Sequence, residues 1–224
     1  MTTLTKRVAA IQLKMLHLQY RMKKIYEDQA KLNKLVNKVQ SPREQIRSLT
    51  NSAYTTIDML ITFEHLFQLI ADIFNTPELK DKIDNNLRNL LGRAKTVALK
   101  WKPVRNKLGG HIDIEMVISL CEKHNFEGVF LSDDLETDVS AMNMLLIESA
   151  VNSAQPNSDL FGRKLDFNKN GLTNELKIFV ETLNKDWNLV YSYFTPMMNF
   201  LYAHGKAEKM NATSPEDRKG IIVD

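Results

Sequence analysis

Covalent staples play no part in this chain. Its 224 residues include one cysteine, Cys121, which excludes an internal disulfide framework and any zinc site built on paired thiolates. Glycine and proline are sparse at 8 and 6, too few for the closely spaced turns of an all-β sandwich. Long apolar runs are missing too. The opening MTTLTKRVAAIQLKMLHLQYR is broken by Lys14, His17 and Arg21 before it could form a signal-peptide core or a bilayer span. A reducing, cytosolic setting with no membrane partner is therefore expected. Glycine-rich phosphate loops, GxSxG elbows, dinucleotide fingerprints and HExxH spacings are absent as well.

What is present is helical periodicity. Val8, Ile11, Met15, Leu18, Met22, Ile25, Leu32, Val36 and Val39 recur at spacings of three and four, which predicts a first helix of about nine turns. Ser41-Pro42-Arg43-Glu44 then supplies a cap, a proline suited to the first helical position and a glutamate that can close a capping box. The next stripe runs Ile46, Leu49, Ala53, Ile57, Leu60, Phe63, Phe67, Ile70 and Phe74, and ends at Thr76-Pro77-Glu78, the same cap-then-proline signal. A third helix is expected to about Lys102. Adjacent glycines cost about 2 kcal/mol of helix propensity relative to alanine, so the segment from Pro103 through Gly109-Gly110 reads as a loop or frayed turn.

Beyond it come a short helix from about Asp113 to His124, an irregular or strand-like piece from Gly128 to Leu131, and a helix from about Ser132 to Ala154 carrying Leu135, Val139, Met142, Leu146 and Ala150 on one side. Residues 155–171 are the candidate linker. A last helix presents Leu176, Phe179, Leu183, Trp187, Val190 and Phe194, bends at Pro196 and ends near Gly205. The expected fold is all-α: an antiparallel bundle of long helices in one domain over residues 1–205, with additional C-terminal helices that can form an extension from about residue 132, and a polar tail over 206–224.

Charge is segregated along the chain. Residues 1–40 hold nine basic side chains and two acidic ones. Residues 85–112 contain Arg88, Arg93, Lys95, Lys100, Lys102, Arg105 and Lys107 without an acid, and residues 113–160 reverse this with ten acids and one base, Lys123. Such a basic run concentrates anions locally, so a polyanion meeting Arg93, Lys95, Lys100 and Lys102 is one reading and a solvated helix face is the other.

Within that run, Arg105-Asn106-Lys107-Leu108-Gly109-Gly110-His111-Ile112-Asp113 packs a permanently charged guanidinium and an imidazole that titrates near neutrality into nine residues. RNA cleavage needs little more. A 2′-hydroxyl attacks its own adjacent phosphate when a proton is moved near pH 7, and an arginine fork stabilises the charge that builds on phosphorus. The structural alternative is an Arg105–Asp113 salt bridge at the surface, with His111 as a cap or loop donor.

This segment resembles the signature of HEPN-domain proteins, an Arg followed by a polar residue and, four to six residues on, a His. It is closer to the abortive-infection branch, whose pattern is Arg, any, Lys, any, any, small, His, any, Asp. The resemblance implies a helical bundle and a metal-independent ribonuclease without cofactor. Arg105 and His111 would be its catalytic pair, Asn106 the polar neighbour, and Lys107 and Asp113 supporting positions. It further implies a homodimer whose active site joins motifs from both protomers, and a toxin or phage-defence role with an antitoxin partner.

Other constellations are weaker. Asp166-Phe-Asn168-Lys-Asn170-Gly171 copies the start of an EF-hand loop, but Lys177 stands where the bidentate glutamate belongs. These residues read as a turn before a helix capped by Thr173 or Asn174. Glu64-His65 could bring an acid and an imidazole to a site from the second helix, and more simply lies at a bundle edge. His17, His124 and His204 fall singly on separate elements. Cys121 reads as a small hydrophobe beside Val117 and Leu120, and Trp101 and Trp187 as core, although Trp101 beside two lysines could stack on a base. A non-enzymatic alternative is a helical interaction protein that associates through the Val8 to Val39 seam of its first helix, where polar substitutions at Met15 and Met22 would abolish pairing.

Overall fold

A computed structural model of the chain describes residues 3–36, 41–108, 114–124, 134–154, 160–161, 163–165 and 172–204. They form eight helices and no strand: α1 (Thr3–Val36), α2 (Pro42–Phe74), α3 (Pro77–Lys80), α4 (Asn85–Lys100), α5 (Lys102–Leu108), α6 (Ile114–His124), α7 (Leu135–Ala154) and α8 (Leu172–His204). The chain is all-α, as its periodicity requires. No helix among the described residues is long and apolar enough to cross a membrane.

α2 is the organising element. It packs against α1, α4, α5 and α7, while α8 closes over α1 and α4. The capping box at its start forms as expected: the Glu44 N–H donates to Ser41 Oγ, and the Glu44 carboxylate accepts from the Ser41 N–H at 2.8 Å. Those two Ser41 donors, the backbone N–H first and the hydroxyl second, hold the Glu44 carboxyl below its ordinary range. At the other end, Thr76 stands at the N-cap of α3 without capping it, because its hydroxyl donates back to the Asp72 carbonyl at 2.7 Å.

The α1 seam is used internally. Ile11, Met15, Leu18, Met22 and Ile25 are buried within the one hydrophobic core, so polar residues at Met15 and Met22 would damage the fold itself and not an external partnership. The side chains of Leu32, Val36 and Val39 lie outside the described residues. A single apolar stripe underestimates α2, where Met59, Leu66, Leu69 and Ile73 are buried along with Leu60, Phe63 and Ile70. A helix packed against several others needs apolar residues on more than one face.

The expected third helix divides. Asp84 accepts from the Leu87 N–H at 2.7 Å and starts α4, which ends at Trp101, and a further helix of about two turns, α5, takes up Lys102–Leu108. The loop expected from Pro103 is thus helical as far as Leu108. Pro103 is the second residue of α5, where no intrahelical N–H bond is required of it, and the first repeat bond runs from Arg105 N–H to the Trp101 carbonyl at 3.0 Å. On α7 the buried side is Asn143, Leu146, Ile147, Ala150, Val151 and Ala154, while Leu135 and Met142 are exposed. The buried face is turned relative to the expected stripe because α7 meets α2 and α5 through its second half.

Within the candidate linker, Leu160 and Leu165 are core residues, and Arg163 NH2 reaches the fully buried Glu175 of α8 at 2.9 Å. Helix α8 runs from Leu172 as one helix through Pro196, with Thr173 and Asn174 within its first turn. The irregular piece from Gly128 to Leu131 and the tail from 205 lie outside the described residues. Trp101 and Trp187 are fully buried. Phe63 lies between them, stacked on Trp101 at 6.4 Å and edge-on to Trp187 at 5.8 Å, which ends any prospect of Trp101 stacking on a base.

Candidate functional site

The basic run divides by face. α4 lies between α2 and α8, so its cations point along both borders. Arg93 sits over the Tyr193 ring of α8 at 5.7 Å, and Lys95 over the Phe67 ring of α2 at 5.4 Å. Lys100 is committed to structure: its Nζ donates to Asp186 Oδ2 at 2.8 Å, and the buried Trp101 Nε1 donates to the same oxygen at 2.8 Å. Asp186 is 8% exposed, and these two donors offset the cost of keeping its carboxylate out of water. Lys102 is exposed on α5. Among the described residues Arg88, Arg93, Lys95 and Lys102 form no ion pair.

Much of the α1 charge is likewise neutralised. Lys14 pairs with Asp72 at 2.5 Å and Arg21 with Asp58 at 2.8 Å, tying α1 to α2, and Lys24 and Lys31 share Asp28 at 3.1 Å each. The hydrogen bond from Lys24, with that from Lys31 behind it, pulls the Asp28 carboxyl below its ordinary range.

Arg105 occupies the second half of α5. One terminal nitrogen, NH1, pairs with Glu64 Oε2 of α2, and NH2 donates to Oδ1 of Asn106 at 2.6 Å. The second carboxylate oxygen of Glu64 accepts from Gln68 Nε2 at 2.8 Å, so both oxygens are engaged. The Arg105 side chain is 14% exposed and Glu64 27%, and the Arg105 Nε–H is enclosed without an acceptor. Asn106 is exposed and Lys107 half-buried. His111 and Asp113 lie outside the described residues, as do Gly109 and Gly110. The acid that Arg105 meets is Glu64, one helix away.

His65, next to Glu64, is half-buried against α1. Burial first, and then the positive charges of Arg21 and His17, hold its imidazole below the ordinary value of 6.5, with Glu64 opposing weakly. Its uncharged form is favoured in the fold. Glu64 was visible in the sequence as half of a polar dipeptide inside an apolar helix, but its pairing with Arg105 joins residues too distant along the chain for spacing to reveal.

Cys121 is partly buried and unpaired in any disulfide, and no group of three or more histidine, cysteine or acidic side chains suited to a metal ion occurs among the described residues. Compared with protein-family models, with curated proteins and with solved structures, the chain shows no match.

Proposed function

We propose that the protein is a metal-independent endoribonuclease of HEPN type, acting in the cytosol as a homodimer in a toxin or phage-defence setting with an antitoxin partner. The observation that carries the reading is the clamp on Arg105. A guanidinium three residues from the end of α5 is fixed by an acid from α2, immediately before the segment that contains His111.

In this reading the side chain of His111 takes the proton from the RNA 2′-hydroxyl, whose oxygen attacks the adjacent phosphorus. The 5′-oxygen leaves and receives a proton, and a 2′,3′-cyclic phosphate remains on the upstream product. Arg105 stabilises the phosphorane charge, with Glu64 and Asn106 setting the plane of its guanidinium. Lys107 and Asp113 support the segment. Arg93, Lys95 and Lys102 attract the RNA backbone, and Lys100 is left out of that role because Asp186 holds it.

The test is cleavage of end-labelled tRNA or mRNA in EDTA. Cyclic-phosphate products that disappear in His111→Ala and in Arg105→Ala support the proposal, and an unchanged cleavage pattern in both variants removes it.

One observation favours a second reading, a helical interaction protein. Leu13 (67% exposed), Leu16 (43%) and Tyr20 (71%) follow each other along the outer face of α1, opposite the buried seam. Three large apolar side chains at helical spacing in water mark a contact surface. Leu13→Lys with Tyr20→Lys would then abolish a co-purifying association and leave RNA cleavage untouched.

A further inference from the structure

Between α1, α2 and α8, on the side of the bundle away from Arg105, lies a half-open cavity of about 260 Å³. Its wall comprises Tyr26, Gln29 and Ala30 of α1, Ser52, Thr55, Thr56 and Met59 of α2, and Val180, Leu183, Asn184 and Asn188 of α8. A quarter of the chain is Asp, Glu, Lys or Arg, yet among the described residues none of these and no histidine lines it. Polar groups are nevertheless concentrated there, and they are partly arranged already. Gln29 Nε2 donates to Asn184 Oδ1 at 2.8 Å and approaches Met59 Sδ at 3.2 Å. That fixes the Gln29 amide and leaves its carbonyl oxygen, and the amide nitrogen of Asn184, without a partner among the described residues.

Thr56 carries the argument furthest. The threonines at 50, 55, 62, 76, 96 and 182 each return their hydroxyl to the carbonyl four residues back. Thr56 does not: at 7% exposure it makes no hydrogen bond to any described residue while lining the cavity. A hydroxyl left without a partner among the described residues, at the wall of a half-open cavity, is available to an incoming ligand. Asn188 likewise bonds to no described residue. Tyr26 stands at the wall with its ring held in plane by stacking on Tyr191, 5.9 Å away and inclined by 16°.

From this the geometry points to a binding site for an uncharged nucleobase or nucleoside. An ion would lose its hydration with no opposite charge to meet it, and a purely apolar ligand would leave the amides and the Thr56 hydroxyl unmatched. A base offers adjacent donors and acceptors on a flat edge, the pattern that asparagine and glutamine amides read, together with a face that tyrosine can stack on. The volume lies just below the roughly 300 to 1,000 Å³ of ordinary ligand pockets, which suits one base with its sugar toward solvent and excludes a dinucleotide.

The site is independent of the ribonuclease proposal. The experiment is ligand-observed NMR and calorimetry on the full chain with adenosine, guanosine, cytidine and uridine as probes at millimolar concentration. At least one should bind wild type and Arg105→Ala equally, and lose about tenfold in affinity in Thr56→Val and in Asn188→Ala. Asn188 is exposed and the valine nearly isosteric with threonine, so both variants should melt as wild type does. Failure of all four nucleosides to bind wild type, or binding indifferent to both substitutions, overturns the inference.

Discussion

Removing the carboxylate of Glu64 is the sharpest perturbation the structure offers, because it separates what Arg105 needs in order to be held from what it does. Exposed ion pairs contribute about 0 to 1 kcal/mol, whereas stripping one partner from a fully buried pair costs about 3 to 5 kcal/mol. With Arg105 14% exposed and Glu64 27%, the pair lies between those limits and nearer the buried one. Its Nε–H is already unmatched, so Glu64→Ala would leave a second guanidinium nitrogen without its acceptor. The expected destabilisation is about 2 to 3 kcal/mol. Glu64→Gln keeps an acceptor and should cost about half as much. Arg105→Ala strands a better hydrated carboxylate and loses the packing of the arginine stem, about 1 to 2 kcal/mol.

Urea unfolding followed by circular dichroism, with the slope against denaturant unchanged between variants, gives these values, and the double mutant gives the coupling. A coupling of about 1.5 kcal/mol or more fits the clamp. A coupling below about 0.5 kcal/mol refutes it, and with it the idea that α2 positions the guanidinium. If the proposed ribonuclease activity holds, cleavage measured on the same samples should fall in Glu64→Ala, which retains Arg105, but less than in Arg105→Ala.

Four further outcomes are expected. The unfolded chain protonates His65 near its ordinary 6.5 while the fold holds it lower, so stability falls as pH drops through 6.5 toward the folded-state value, and His65→Asn should flatten that part of a pH series of urea midpoints. Asp186→Ala should cost about 2 to 3 kcal/mol by orphaning the indole N–H of Trp101, against about 1 for Asp186→Asn, read from thermal or urea unfolding. If RNA binds along α4, only Arg88, Arg93, Lys95 and Lys102 are free of ion pairs among the described cations of the run. Affinity plotted against salt should then show a logarithmic slope no steeper than about −3 for single strands. Replacing the Asp84 cap by alanine should cost about 1 kcal/mol, seen as a lowered urea midpoint.

Much of the fold was legible because burial repeats with the helix. The buried positions of α1 and the Phe179, Leu183, Trp187, Val190 and Phe194 series of α8 are those the 3.6-residue period selects, and Ser41 to Glu44 announced the start of α2. What the period could not supply is how many neighbours a helix has. α2 packs against α1, α3, α4, α5 and α7, so its apolar residues outrun any single stripe, and α7 buries Asn143 while exposing Met142. Local rules also competed. Pro103 ends one helix in the usual reading, yet two residues earlier Trp101 had already closed α4, which left the proline free to begin α5.

The site was legible to a different depth, and the reason is electrostatic. A run of seven cations without an acid looks like a polyanion surface only while its counter-charges are unknown, and these come from distant parts of the chain: Asp186 for Lys100 and Glu64 for Arg105. One-dimensional charge counting therefore overstates the field that an incoming phosphate would meet. The two cations that the fold engages this way differ in what they can still do. Lys100 shares a buried oxygen with an indole N–H that must remain satisfied, so it cannot leave without destabilising the aromatic centre of the core. Arg105 is held by Glu64 at one terminal nitrogen and by Asn106 at the other, with its Nε–H enclosed, so the exposed Asn106 amide is the partner that an incoming anion would displace. On the proposed function, that exchange is what would set Arg105 apart from Lys100, whose partners belong to the core.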